Sequence, residues 1–470
     1  MAEPLWTAEA LVEATGGRLD GRLADGVCGV SIDTRTLEPG DLFVALAAER
    51  DGHDFVGKAF EAGAAAALVR EDFKVPATVG ALIRVDDPLR ALEQLGMAAR
   101  RRTRARIVAV TGSVGKTGTK EALRLCLSAL GATHASEKSY NNHWGVPLTL
   151  ARMPQSSAYG IFEIGMNHAG EITPLSRMVR PEVAIITTVG PVHIEFFPDE
   201  AAIADAKAEI FAGLTPGGIA ILNADNPHFA RLSARATAAG AGRIIAFGHS
   251  ADADSRPIDI RADAEGSTVE AEIGGRRVSY RIGAPGEHYV MNALAVLSAV
   301  SALGGDLERA AAALAEVRAP VGRGARLELA VPGGAVLLID ESYNANPFSV
   351  RAALAALAST PRERYPRRIV VLGDMRELGT RSAALHAELR EPILASGADL
   401  VLGCGPYMSE LYQRLPEHLR GGYAPTAEGL REIVIKTVQP GDVIMIKGSL
   451  GSRMGPLVAA LKEHLARLEG

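Results

Sequence analysis

The chain has 470 residues, more than one hydrophobic core usually serves, so two to four domains are expected. Hydrophobic residues make up 47% and charged residues 22%, which excludes wholesale disorder, and a net charge of -5 disfavours a nucleic-acid-coating role. Cys28, Cys126 and Cys404 lie far apart, so neither a disulfide framework nor a zinc site is expected, and a reduced cytoplasmic compartment fits.

The N-terminus has no basic segment followed by an apolar run, so no signal peptide is expected. It reads as a short helix, with Thr7 as N-cap and Gly16-Gly17 as the stop. The longest apolar stretches, 62–69 and 293–303, are too short to cross a membrane. Residues 40–46 read as a turn and a buried strand, 55–63 as a helix and 65–69 as another strand. A helix over 88–104 ends in Arg100, Arg101, Arg102, Arg104 and Arg106. A solvated helix end is the expectation for this run, with a phosphate-binding patch as the alternative.

From Arg106 the pattern changes to short apolar strands, 107–111, 161–164, 184–189, 220–223 and 244–247, with helices between them. This is the pattern of a parallel sheet covered by helices. Residues 258–282 alternate and turn at Gly266 and Gly274-Gly275, so an antiparallel appendage is expected, followed by a helix over 288–303. Further strands at 336–340, 369–373, 400–403 and 443–447 form a second, smaller parallel unit. The fold class is α/β with three domains, over 1–84, 85–318 and 319–470.

The sharpest motif is Thr111-Gly112-Ser113-Val114-Gly115-Lys116-Thr117, between a strand and a helix. Glycines let backbone N–H groups approach a phosphate, and the helix N-terminus favours its charge. The lysine reaches the terminal phosphates and the hydroxyl suits Mg²⁺. Many phosphate loops carry another glycine where this chain has Val110. Glu163 ends a strand, where a parallel sheet presents ligands, and would suit Mg²⁺; a solvated strand-end glutamate is the plain alternative. His193 follows the next strand, and alone a loop histidine is more often structural. Lys207 shares a helix face with Ile203, Ile210 and Phe211, which is costly unless the lysine is paired, neutralised, modified or snorkelling. Asp340, Asp374 and Lys447 stand at strand ends of the C-terminal unit.

Together these residues resemble the Mur ligases, over essentially the whole chain. The phosphate loop, Glu163, His193 and Lys207 mark the superfamily. Asn141-Asn142-His143-Trp144-Gly145, Glu163-Ile164-Gly165-Met166-Asn167-His168, Tyr343-Asn344-Ala345-Asn346-Pro347 and the 372–379 segment resemble one branch. That branch adds D-alanyl-D-alanine to UDP-N-acetylmuramoyl-tripeptide in peptidoglycan precursor synthesis. The resemblance implies an N-terminal domain for the uridine diphosphate, a central P-loop-type ATP domain and a Rossmann-like C-terminal domain that admits the amine. Ser31, Asp33, Thr34, Arg35, Asp51 and His53 look like nucleotide-sugar residues. Asn141, Asn142, Asn167 and His168 resemble residues along the muramoyl-peptide, and Tyr343, Asn344 and Asn346 belong to the substrate side. Asn292, Arg323 and Asp340 resemble adenine, γ-phosphate and ribose contacts, with Arg326 as competitor for the Arg323 role. Gly118 replaces a threonine common in relatives.

The same resemblance implies two Mg²⁺ ions, one on Thr117 and Glu163, the other on His193 and a carbamylated Lys207. It implies an acyl-phosphate reaction, a monomer and closure of the third domain over ATP. Two competitors remain. A sibling ligase adding another amine would carry Asp-Asn-Pro-Arg in its third domain; this chain has Asp225-Asn226-Pro227-His228 in the central one. A switch or motor ATPase would leave the first domain and Lys207 without a purpose.

Overall fold

The computed structural model describes residues 4–74, 80–137, 139–263 and 265–469. Three sheets follow one another along the chain. The first holds β1 (Arg18–Asp20), β2 (Gly29–Ser31), β3 (Asp41–Val44), β4 (Ala66–Arg70) and β5 (Ala81–Val85), in the order β1-β5-β4-β3-β2. Only β1 runs antiparallel. The continuous apolar runs foreseen at 40–46 and 65–69 are β3 and β4, buried on both faces. The first helix is Ala8–Thr15, capped by the Thr7 hydroxyl and stopped at Gly16 with φ +65°. The helix foreseen at 55–63 is shorter: Asp51 accepts His53 N–H and starts a 3₁₀ turn, Gly52–Phe55, before Val56–Glu61.

The central sheet has nine strands: β6 (Arg106–Thr111), β7 (Thr133–Ala135), β8 (Tyr159–Glu163), β9 (Val183–Ile186), β10 (Ile219–Asn223), β11 (Arg243–Phe247), β12 (Ser255–Ala262), β13 (Ser267–Ile273) and β14 (Arg276–Ile282). Their order is β14-β13-β12-β11-β10-β9-β6-β8-β7. The antiparallel appendage is β12–β14, and it extends the parallel sheet through one pair, Phe247 with Ser255. Alternate residues of β6 feed opposite cores, as strand geometry requires. Val108 and Val110 pack under helices Lys116–Ser128 and Glu287–Ala302, while Ile107 and Ala109 face helices Ile172–Val179 and Glu200–Ala208.

The third sheet holds β15 (Ala325–Val331), β16 (Gly334–Glu341), β17 (Arg367–Gly373), β18 (Leu400–Cys404), β19 (Arg420–Ala424) and β20 (Asp442–Lys447), in the order β15-β16-β20-β17-β18-β19. Only β15 is antiparallel. The edges β15 and β19 were not foreseen. One buried apolar cluster continues from the central sheet into this one.

The basic run departs in part from the solvated helix end expected for it: Arg101 and Arg104 are exposed as expected, but Arg100, Arg102 and Arg106 make specific contacts. Arg100 donates to Val179 O (2.8 Å) and Arg180 O (3.0 Å). Arg102 donates to Leu5 O (2.8 Å) and lies 3.5 Å over the Trp6 ring. Arg106 pairs with Glu182 at 2.5 Å. Arg100 and Arg102 cover backbone carbonyls where the first two units meet, and Arg106 covers Leu303 O within the central unit, so these three are neither free nor phosphate-facing. Helix Pro88–Arg102 itself packs into the first core, with Leu92 and Leu95 beside Leu68 and Ile83. Among the described residues no helix is long and apolar enough to cross a membrane.

Candidate active site between the central and C-terminal sheets

The loop after β6 takes its shape from two glycines. A Cβ on Gly112, φ +150°, would lie 1.9 Å from Thr187 Oγ1. A Cβ on Gly115, φ +87°, would lie 2.9 Å from Asn292 Oδ1. No larger residue fits either place without displacement. The segment after β9 braces the loop: Ser113 N–H donates to Thr188 O (2.8 Å) and Thr187 Oγ1 to Val114 O (2.5 Å). Lys116 opens the helix Lys116–Ser128, and its Nζ donates to Gly112 O at 2.7 Å. Burial lowers the Lys116 pKa; Glu163 opposes that shift and Arg323 adds to it. Thr111 is buried behind the loop, and among the described residues its hydroxyl has no hydrogen-bond partner.

Glu163, at the end of β8, gathers two neighbours. Its Oε2 accepts from Thr117 Oγ1 at 3.0 Å and its Oε1 from Asn141 Nδ2 at 2.7 Å. The expected cation pair, Thr117 and Glu163, therefore meets beside the loop. Lys207 lies in helix Glu200–Ala208, 2% exposed, and makes no hydrogen bond or ion pair among the described residues. Burial, and then the charge of Lys116, push its pKa well below the ordinary lysine value.

A cleft of about 520 Å³ separates this loop from the C-terminal sheet. Ser113, Val114, Gly115, Lys116, Gly118, Asn141, Glu163, Asn167, His193 and Asn292 line its central wall. Arg323, Tyr343, Asn344 and Asn346 line the other. Arg323 lies 4.3 Å over the Tyr343 ring, close enough to Lys116 to perturb it. Arg326 also borders the cleft, but its Nη2 donates to Ala356 O at 3.1 Å. Asn346 caps helix Pro347–Ala358 in a capping box with Ser349. A ring edge of Phe348 in that helix would stand 2.4 Å from a Cβ on Gly190, so the C-terminal domain packs against the segment that braces the loop. Asp340 does not line the cleft: it is buried, and its Oδ1 accepts Ser342 N–H (3.1 Å) and Oγ–H (2.6 Å). Its neighbour Glu341 faces the cleft and accepts from Lys447 Nζ at 2.9 Å.

Other expected residues lie elsewhere. Ser31 is fully buried and its hydroxyl serves the turn at Asp33. Asp33 pairs with the exposed Arg35 at 2.6 Å, and Thr34 sits in the turn between them. His53 borders a separate cavity of about 340 Å³ with Arg70 and Trp144. Both its ring nitrogens are used: Nδ1 with Asp51 at 2.6 Å, Nε2 accepting Arg70 N–H at 3.0 Å. The ring face alone is left for a ligand. Asn142 Oδ1 accepts Gly145 N–H (2.9 Å) at the start of helix Gly145–Ala151. His168 bonds Glu171 at 3.0 Å and packs on Phe196, outside the cleft lining. The 141–144 segment joins the Glu163 carboxylate, through Asn141, to the N-terminal cavity, through Trp144.

Contacts not foreseen are His193 Nδ1 with Glu377 Oε2, 2.5 Å, and Asn226 Nδ2 with Val189 O, 2.8 Å. Glu377 stands in the quoted 372–379 segment, but its partner is 184 residues away. Among the described residues no group of three His, Cys, Asp or Glu could hold a metal ion. The donors beside the loop are one hydroxyl and one carboxylate, a set that fits Mg²⁺ carried in with a nucleotide.

A phosphate loop that faces an arginine-bearing Rossmann-like unit across one cleft defines a nucleotide-using α/β enzyme whose site is shared between domains. Three family descriptions match: Mur ligase family, catalytic domain, over 27–107; Mur ligase middle domain, over 110–300; and Mur ligase, glutamate ligase domain, over 325–450. The chain is 36% identical over 465 residues to the UDP-N-acetylmuramoyl-tripeptide–D-alanyl-D-alanine ligase of Escherichia coli K12, covering 97% of this chain and 98% of that one. A crystal structure of MurF from Acinetobacter baumannii superposes with TM-score 0.84 at 30% identity, covering 97% and 99% of the two chains. MurF ligase from Thermotoga maritima in complex with ADP gives TM-score 0.76 at 25% identity, covering 93% and 98%. The chain belongs to the Mur ligase family.

Proposed function

We propose that this protein is the ATP-dependent ligase that joins D-alanyl-D-alanine to UDP-N-acetylmuramoyl-tripeptide, giving the pentapeptide precursor of peptidoglycan, ADP and phosphate. The observation that carries this is the similarity, across nearly the full length of both chains, to enzymes of that name. The cleft supports it physically. A carboxylate is a poor acylating agent in water. Its oxygen attacks the γ-phosphorus of ATP, ADP leaves, and an acyl phosphate forms. The dipeptide amine then attacks the acyl carbon, phosphate leaves, and the nitrogen loses a proton. Lys116 and Arg323, on opposite walls, neutralise charge on the transferring phosphoryl group.

The donor residues assign the cations as follows. Thr117 and Glu163 would hold one Mg²⁺, and His193 with a carbamylated Lys207 a second, offsetting repulsion between the triphosphate and the substrate carboxylate. The depressed pKa of Lys207 supports its modification, because only a neutral amine adds CO₂. Asn292, wedged against Gly115, is assigned to the adenine side. Asp340 is assigned to the ribose, which requires its carboxylate to leave Ser342. Asn141, Asn142, Asn167 and His168 are assigned to the muramoyl-peptide, and Tyr343, Asn344 and Asn346 to the substrate side of the far wall. Ser31, Asp33, Thr34, Arg35, Asp51 and His53 are assigned to the nucleotide-sugar end; the 141–144 segment joins that end to the cleft. Domains over 1–84, 85–318 and 319–470 divide these tasks, with helix Pro88–Arg102 shared by the first two. The working form is a monomer.

The test is ADP release with ATP, Mg²⁺ and UDP-N-acetylmuramoyl-tripeptide, with and without D-alanyl-D-alanine. Release should need the dipeptide, and single D-alanine, L-lysine or diaminopimelate should not replace it. Release indifferent to the dipeptide would sink the assignment.

A further inference from the structure

The 372–379 segment carries a residue that the proposed reaction does not yet use. Glu377 reaches out of the C-terminal domain and its Oε2 meets His193 Nδ1 at 2.5 Å. Both residues hold left-handed backbone, φ +61° and +62°, two of four non-glycine cases among the described residues. Such positions persist only where the surroundings over-determine them. The surroundings do so here. Glu195 N–H donates to Glu377 O at 3.4 Å, and a Cβ on Gly379 would stand 2.9 Å from Glu195 Cβ.

The base of the segment is tied to the C-terminal sheet. Asp374 Oδ1 accepts Met408 N–H (2.9 Å), Asp374 O accepts Ser452 Oγ–H (2.8 Å), and Arg376 N–H donates to Ser449 Oγ (2.9 Å). Glu377 therefore travels with the C-terminal domain, whereas His193 belongs to the central one. In the neutral ring, donation of Nδ1–H to this carboxylate leaves the lone pair on Nε2, and the ring borders the cleft.

We propose that Glu377 is a positioning residue: it fixes the Nδ1–H tautomer and the ring orientation of His193, so that the His193 cation site is complete only when the C-terminal domain is seated. This rests on the reading of His193 as a cation-binding residue, and it deepens that reading by making one of the two cations report domain closure.

The experiment is Mn²⁺ titration of the full chain, followed by electron paramagnetic resonance, with a non-hydrolysable ATP analogue present. Wild type should bind two ions. Glu377→Ala should weaken one of them by about 10–100-fold and leave the other unchanged. Glu377→Gln, which keeps an acceptor, should lose less. His193→Ala should lose the same ion. The Glu377 side chain is 44% exposed, so circular dichroism of these variants should match wild type.

A second readout needs no metal: in selectively ¹⁵N-histidine-labelled protein, His193 should be the Nδ1–H tautomer in wild type and mixed in Glu377→Ala. Wild-type Mn²⁺ affinity in Glu377→Ala, with the tautomer unchanged, would overturn the proposal. A looser C-terminal domain by small-angle scattering, with both readouts unchanged, would mean a mere latch and overturn it too. If His193→Ala still binds two ions, the reading of His193 falls and the cation half with it. The tautomer would then still decide whether Glu377 holds the ring.

Discussion

Lys120 and Lys207 are both buried in the central domain, 0% and 2% exposed, yet their surroundings are opposite. Lys120 donates to Ser136 O at 2.7 Å and pairs with Glu121 at 2.6 Å. The same holds in the C-terminal domain for Lys447, which is buried against Glu341 and Asn344 O. Among the described residues Lys207 has neither a carbonyl nor a carboxylate partner, and the nearby charge that perturbs it is the like charge of Lys116. A lysine buried for structure is satisfied by its neighbours, because an unpaired ammonium in the interior is costly. A lysine left unsatisfied beside a phosphate loop marks chemistry that arrives later.

Substitutions can break or sharpen that contrast. The largest effect belongs to Lys116, whose charge bears on Lys207: Lys116→Ala should reduce ADP release by roughly 10³-fold or more, with the melting profile unchanged. Retention of most activity would remove Lys116 from the γ-phosphate. Lys207→Ala should lose about 10²-fold or more, and short carboxylic acids added to the assay should restore part of it. Full activity without rescue would make Lys207 structural after all, and erase its difference from Lys120.

Stability separates the two lysines by sign. Lys207→Met, in CO₂-free buffer, should stabilise the protein by about 1–4 kcal/mol at neutral pH, measured by denaturant unfolding. The folded pKa of Lys207 lies below the ordinary 10.5, so between those two values the unfolded chain binds more protons. Wild-type stability from this group therefore rises with pH across that window, and the advantage of methionine should shrink across it. Lys120→Met should do the reverse, costing about 1–3 kcal/mol because Ser136 O loses its donor, while activity per folded molecule stays. Gly118→Thr, in the same helix as Lys120, should change stability by no more than about 0.5 kcal/mol. A Cβ there meets only Asn292 Nδ2 at 3.5 Å and Tyr289 Cε1 at 4.0 Å.

Much of this was legible in the residues. Parallel strands buried on both faces read as unbroken apolar runs, and β6, β8, β10, β16, β17 and β20 appear where such runs stand. The phosphate loop was legible because glycines, lysine and hydroxyl fall within seven residues. Lys207 stood out because one polar residue interrupts an apolar helix face. The edges were hidden for the converse reason. β19 reads Arg420-Gly421-Gly422-Tyr423-Ala424, which no strand pattern favours, and it pairs because β18 offers a free edge. Nor could Ser31, His53 and Asp340 be separated from ligand-facing residues by type alone. His53 spends its Nε2 on Arg70 N–H, a partner that only the folded backbone supplies, while Ser31 and Asp340 turn back on residues two along the chain in loop conformations that residue type does not announce.

The sequence by itself determined the architecture class, the phosphate loop and the presence of an anomalous lysine, because each depends on residues close along the chain. Tertiary structure decided which partners those residues meet. Arg100 and Arg102 became a seam between the first two units because backbone carbonyls of distant segments, Val179 and Leu5, converge on them. His193 received its carboxylate from a loop 184 residues away, since packing of the C-terminal sheet against the central one brings the two turns together. Periodicity reports which face of an element is buried, but the identity of the group across from it is set by how whole sheets pack.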